Sequence, residues 1–271
     1  MVKNFLINGK DTPGLNPFDR GLAYGDGIFR TFLVKNSEPI HWKLHYLRLC
    51  FDLNIVNITP PKESLLLKDI KALFPTKGIF VGKIIITRGI SERGYQYPKI
   101  EKHNRILLKS QYKEINPELY INGVTLGVCS TRINNVYKYN GIKHLNRLDN
   151  VLAKNELDNT VFDGIMLDQA GFVNECVSSS IYTRYNDILI TSNHTNGGIF
   201  GITKEIVITK IKKVGLKINH DNITLQDLKK ADEVVITNSL FGALQVTKLN
   251  ETAWKMNNLS SVIRELINEE A

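Results

Sequence analysis

Apolar positions along the chain fall into two rhythms. From His41 to Asn54, Leu44, Leu47 and Phe51 recur at three- and four-residue spacing, which predicts a helix. Helices are also predicted over Pro61–Leu73, Thr203–Lys213 and Ser260–Ile267. Short runs rich in β-branched residues predict strands at Phe5–Ile7, Ile79–Thr87, Arg105–Ser110, Gly123–Cys129, Ile188–Thr191 and Val234–Thr237. Asp163–Leu167 and Gly171–Val177 predict a hairpin about the turn Asp168-Gln-Ala-Gly171. Strands and helices mix without strict alternation, which favours a mixed α/β (α+β) chain of two domains. The polar segment 113–120 contains Pro117 and is read as a linker between domains at 1–112 and 121–271.

Composition narrows the classes. A chain of 271 residues with 42% hydrophobic and 23% charged positions is that of an ordinary globular protein. No apolar run approaches the roughly 18 residues of a membrane span, and the N-terminal apolar segment is too short for a secretory signal, so the cytoplasm is expected. Cys50, Cys129 and Cys176 show no paired spacing, and no metal-ligand pattern is present. The net charge of +8 raises nucleic acid as a partner, but the basic residues are scattered among acids, as in Lys62-Glu63 and Lys204-Glu205. That pattern reads as a lysine-rich, well-solvated surface, with attraction of anionic small molecules as the weaker functional reading.

Lys143 stands at the predicted entrance of a helix carrying Leu145, Leu148, Val151 and Leu152. By strand alternation Glu175 shares a face with Val173 and Val177, where a carboxylate needs a proton or cation as partner. The same pattern also describes a salt-bridged or solvent-facing glutamate. Arg48 borders the apolar face of its helix, where a guanidinium suits a phosphate or simply packs its stem on the core. Gly197-Gly-Ile-Phe-Gly-Ile-Thr203 runs into a helix, so free N–H groups and the dipole favour an anion. Thr237-Asn-Ser-Leu240 adds small donors or a plain turn. Arg88-Gly-Ile-Ser-Glu-Arg-Gly-Tyr95 opens a loop reaching Asn104, either a flexible basic loop or a receiver of substrate carboxylate.

Taken in order, Asp19-Arg-Gly-Leu-Ala-Tyr-Gly-Asp-Gly-Ile-Phe29, His45-x-x-Arg48, Arg88-Gly, Lys143, Glu175, Gly201-Ile-Thr203, Ala231-Asp-Glu-Val234 and Asn238-Ser-Leu240 resemble the fold-type IV pyridoxal-phosphate enzymes. That family includes branched-chain and D-amino-acid aminotransferases and aminodeoxychorismate lyases. Ile142-Lys-His-Leu-Asn-Arg147 and Arg93-Gly-Tyr95 look like the lyase branch; D-amino-acid aminotransferases usually carry glutamate where this chain has Arg30. The resemblance departs at Ser180-Ile-Tyr182, where an asparagine run is common, and at Thr191-Ser192, where Thr-Pro is common.

The resemblance implies a D-amino-acid-aminotransferase-like fold with a small N-terminal α/β domain and a larger cofactor domain built on a β-barrel-like core. It implies pyridoxal 5′-phosphate bonded to Lys143, with Glu175 at the ring nitrogen. Arg48, Gly201, Ile202, Thr203, Asn238 and Ser239 are implied as further cofactor ligands. Arg93, Tyr95, Arg30, Arg88, Asn146 and Arg147 are the substrate-side candidates. The implied activity is elimination of pyruvate from 4-amino-4-deoxychorismate to give 4-aminobenzoate; the alternative is transamination of D- or branched-chain amino acids. A small-molecule substrate and a homodimer are expected, with neither nucleic acid nor membrane as partner.

Overall fold

The computed structural model describes residues 4–11, 14–134, 137–193 and 195–269. Positions 1–3, the start of the segment read against a secretory signal, lie outside them. The chain resolves into two compact units, 1–113 with 142–146, and 114–141 with 147–271.

In the first unit β1 (Phe5–Ile7), α1 (Arg20–Tyr24), β2 (Gly27–Lys35), β3 (Glu38–Pro39), α2 (Trp42–Ile55), α3 (Glu63–Leu73), β4 (Ile79–Thr87) and β5 (Asn104–Gln111) follow one another. The strands form an antiparallel sheet in the order β1-β5-β4-β2-β3. Ile28, Phe32 and Val34 alternate inward along β2 and meet Leu49 and Leu53 of α2 and Leu66, Ile70 and Leu73 of α3. The inward face of α2 differs from the predicted one. Leu47 and Phe51 are more than half exposed, whereas His45, Leu49, Asp52 and Leu53 are buried. Leu44, Leu47 and Phe51 have core-like spacing, but spacing alone leaves open which way a helix face turns.

The second unit carries α4 (Glu118–Asn122), β6 (Val124–Val128), α5 (Leu148–Asn155), β7 (Asp163–Leu167), β8 (Val173–Cys176), β9 (Ser180–Tyr185), β10 (Ile188–Thr191), α6 (Ile202–Lys210), β11 (Lys217–His220), α7 (Leu225–Lys229), β12 (Glu233–Asn238), β13 (Gly242–Leu249), β14 (Thr252–Ala253) and α8 (Leu259–Asn268). Its sheet runs β11-β10-β9-β12-β13-β6-β7-β8, with β14 beside β13, and curls as a half-barrel. Val124, Leu126, Ile165, Val173, Ile181, Val234, Ile236, Leu244 and Val246 make its core. The β7–β8 turn is held by the Asp168 carboxylate, which accepts the N–H groups of Ala170 and Phe172, both at 2.9 Å.

Lys143 does not open a helix. Gly141 turns the chain at φ +79°, and 142–146 then runs extended along β2: His144 bridges Ile28, Phe29 N–H donates to Lys143 O at 3.0 Å, and Leu145 N–H donates to Gly27 O at 3.0 Å. The helix begins only at Leu148. No helix among the described residues is long and apolar enough to cross a membrane.

Candidate active site

In the first unit one carboxylate organises the basic residues. Asp52 is fully buried on α2. Its Oδ1 lies 3.0 Å from Arg48 Nε, one helical turn back, and its Oδ2 accepts Arg30 Nη2 and, at 3.0 Å, the Lys143 main-chain N–H. The Arg48 guanidinium carbon stands 4.7 Å from the Phe51 ring centroid, so that side chain lies between a carboxylate and an aromatic face. Lys143 Nζ lies 4.8 Å from the Phe29 ring centroid. His45, two turns before Asp52, is buried among these cations; burial first, then the charges of Arg30, His41 and Lys143, hold its pKa well below the ordinary value.

The resemblance offers Arg30 as a substrate ligand. In the structure it is 3% exposed and ion-paired with Asp52, the carboxylate that also faces Arg48. Arg88 requires the same correction. Its guanidinium is 1% exposed and spends its donors on Asp26 (2.7 and 3.1 Å), Asn57 O (2.7 Å), Val56 O (2.6 Å) and Glu101 (3.4 Å). Arg88 therefore pins the loop base. The loop beyond it is clasped by Arg20, whose guanidinium reaches Ser91 Oγ and the carbonyls of Gly94, Tyr95 and Gln96 within 3.2 Å. Arg93 and Tyr95 project from this clamped loop with their side chains exposed, Tyr95 against Tyr24 at 5.4 Å. Asn146 Nδ2 donates to Gly25 O at 3.2 Å.

In the second unit Glu175 sits on β8, where all four residues are buried, and its Oε2 accepts the Ile199 N–H at 2.8 Å. Ile199 belongs to the glycine-rich stretch, which is sewn to Gly141 by Gly141 N–H to Gly198 O (3.1 Å) and Phe200 N–H to Gly141 O (2.8 Å). That stretch delivers Gly201 as the N-cap of α6 with no side-chain cap, leaving the helix start to be completed by an anion. A Cβ placed on Gly201 would meet only Ser180 Oγ at 3.8 Å and Thr203 Oγ1 at 3.9 Å. Thr237 Oγ1 follows at 3.5 Å from Thr203 Oγ1. The hydroxyls of Ser180, Thr203 and Thr237 thus gather beside Gly201 at the start of α6.

Asn238 is spent elsewhere: its Oδ1 accepts Leu240 N–H and Phe241 N–H at 2.9 and 3.0 Å, and its Nδ2 donates to Ser178 O at 3.2 Å. Its side chain shapes the β12–β13 turn on which the half-buried Ser239 is carried, rather than serving as a cofactor ligand. Arg147 caps no helix by hydrogen bond and reaches Asn150 Oδ1 at 3.4 Å.

Sequence reasoning missed Asp52 and Lys204. The i,i+4 pairing of Arg48 with Asp52 was legible; the burial of Lys204 was not. Lys204, the second residue of α6 after Ile202, is fully buried and donates to Ser192 O at 2.6 Å. Burial pushes its amine down to about 7 against the opposing pull of the Glu175 charge.

Each donor set fits part of a phosphorylated pyridine aldehyde: in the second unit a helix start with hydroxyls suits a phosphate and a buried carboxylate suits a ring N–H, and in the first unit a guanidinium suits an anion and an amine suits an aldehyde. Among the described residues no cluster of His, Cys, Asp and Glu could hold a metal ion.

Comparison with known proteins agrees. An aminodeoxychorismate lyase of Vibrio harveyi is 31% identical over 91% of each chain, and that of Bacillus subtilis 28% identical over 88% of this chain and 82% of its own. The crystal structure of 4-amino-4-deoxychorismate lyase from Pseudomonas aeruginosa superposes with a TM-score of 0.91 at 30% identity, covering 98% of both chains. The family model for amino-transferase class IV matches residues 27–249. The chain belongs to the class IV aminotransferase family and shares its dependence on pyridoxal 5′-phosphate.

Proposed function

We propose that this enzyme eliminates pyruvate from 4-amino-4-deoxychorismate to give 4-aminobenzoate, a step toward folate. The observation that carries the reading is likeness to lyases across nearly the whole chain, at 31% identity in sequence and a TM-score of 0.91 in structure.

Bound pyridoxal 5′-phosphate supplies an aldehyde for the substrate amine and a ring that accepts an electron pair. The chain's own residues do the rest. Lys143 Nζ holds the aldehyde between turnovers and, as a free amine, takes the proton from the substrate carbon bearing nitrogen. Glu175, itself steadied by Ile199 N–H, holds a proton on the ring nitrogen because a nearby negative charge favours the charged form. Arg48, Ile202, Thr203 and Ser239 hold the phosphate. The bond from ring carbon to enolpyruvyl oxygen then breaks with its electron pair on oxygen, and the departing enolate takes one proton on its methylene carbon to become pyruvate. Aromatisation of the ring drives the elimination. Arg93 and Tyr95, presented by the clamped loop, and Asn146 and Arg147 are the substrate-side residues.

Exposed Leu47 and Phe51 on α2, and Leu148, Val151 and Leu152 on α5, support assembly as a homodimer, since apolar patches mark interfaces. Three free cysteines suit the reducing cytoplasm. The deciding experiment follows aromatic product from aminodeoxychorismate beside amino-acid/keto-acid pairs. Efficient transamination without elimination would replace the lyase reading by its alternative, a class IV aminotransferase.

A further inference from the structure

We infer that Asp52 is a positioning residue that aims the Arg48 guanidinium at the cofactor phosphate. The inference rests on the reading above, because it supposes that Arg48 meets a phosphate.

Asp52 has no exposed surface, so its charge is tolerable only with cationic or N–H partners. Two of them, the Lys143 main-chain N–H at 3.0 Å and the buried Arg30, lock Oδ2 and leave the carboxylate one orientation. Oδ1 then forms an ion pair with Arg48, 3.0 Å from its Nε, while the Phe51 ring covers a face of the same guanidinium at 4.7 Å. A guanidinium binds phosphate as a planar fork, so a buried charge beside Nε and a ring against its face together restrict the directions in which the fork points. The charge balance also suits an anion. Arg30 and Arg48 against Asp52 leave one net positive charge; a neutral residue at 52 would remove the carboxylate with which buried Arg30 pairs. Asparagine at 52 keeps an oxygen for the Lys143 N–H and removes the charge that orients Arg48.

The test measures the affinity of purified apoprotein for pyridoxal 5′-phosphate, and separately for pyridoxal, by the near-visible absorbance of the bound cofactor. Asp52→Asn is expected to weaken pyridoxal 5′-phosphate binding by at least about tenfold and to change pyridoxal binding by less than about twofold. In an Arg48→Ala background the same substitution is expected to cost almost nothing further, because its effect passes through Arg48. A structural role alone would instead give losses that multiply and that touch both ligands alike. Equal affinity of Asp52→Asn and the unaltered protein, or multiplying losses, would overturn the inference while leaving the functional reading standing. If Asp52→Asn does not fold, the cycle is run on Arg30→Met/Asp52→Asn, which removes both members of the buried pair. Failure of the unaltered protein to take up any cofactor would bring down the functional reading and, with it, this role for Asp52.

Discussion

The Nζ of Lys204, without exposed surface, donates to the main-chain oxygen of Ser192 at 2.6 Å, joining the start of α6 to the end of β10. A buried amine so held carries a pH signature. Its pKa is pushed down to about 7 from an ordinary 10.5, so between these values the folded state binds fewer protons than the unfolded state. Stability attributable to Lys204 therefore rises with pH across that window and is lower, and flat, below about 7. The slope is at most about 1.4 kcal/mol per pH unit. Urea denaturation from pH 6 to 10 should show the difference between wild type and Lys204→Met growing in favour of wild type; parallel curves would show that the buried amine stays charged throughout.

Arg88 separates a scaffold role from a ligand role. Arg88→Ala removes one of the two arginine partners of Asp26, leaving Arg20, and takes a donor from the carbonyls of Val56 and Asn57. The expected cost is at most about 3–5 kcal/mol, the range for breaking a buried ion pair, because Arg20 still faces Asp26. Chemical denaturation would read it directly. A variant of unchanged stability with a raised KM would return Arg88 to the substrate.

Much of this architecture can be read from the chain, and the failures share a cause. The sequence predicts Ile79–Thr87 to the residue because most of its positions are β-branched and no helical periodicity competes. The neighbouring β2 went unread: it starts at Gly27 and carries Arg30 and Thr31 inside an apolar run. Pattern reasoning places charges outside, so it does not reveal that Arg30, Asp52, Arg88 and Lys204 are buried, each held there by polar partners distant in the chain. The glycine-rich entry to α6 was legible because glycine and a helix start act locally. The position of Lys143 was not, since a bridge to β2 rather than the Leu148 helix decides it.

Gly201 tests the anion cradle without disturbing the fold. At φ −75° any residue is allowed, and a Cβ there makes only ordinary contacts with Ser180 and Thr203. Gly201→Ala should stay within about 1 kcal/mol of wild-type stability. The added methyl stands beside those hydroxyls at the start of α6, so affinity for pyridoxal 5′-phosphate should fall about tenfold, or about 1.4 kcal/mol. Thermal unfolding of apoprotein and cofactor titration give the two numbers; unchanged affinity would move the phosphate elsewhere.

Three amines compete for the role of covalent anchor, and only one fits on all counts. Lys204 Nζ is committed to Ser192 and fully buried. Lys83 Nζ lies 4.6 Å from the Phe29 ring centroid, and burial lowers its pKa, which favours a nucleophile. It projects, however, from the middle of β4, paired with Thr31. Lys143 lies 4.8 Å from the same ring on a short extended segment whose main chain is tied to β2 and Asp52, so its side chain can change partners while its backbone stays fixed. Borohydride reduction of the cofactor-loaded protein, followed by peptide mass spectrometry, should place the adduct on Lys143. Lys143→Ala should retain the fold, lose the adduct and lose about 10²- to 10⁴-fold in turnover, the span for removing one acid–base group. A label on Lys83 in the unaltered protein would transfer the chemistry to β4.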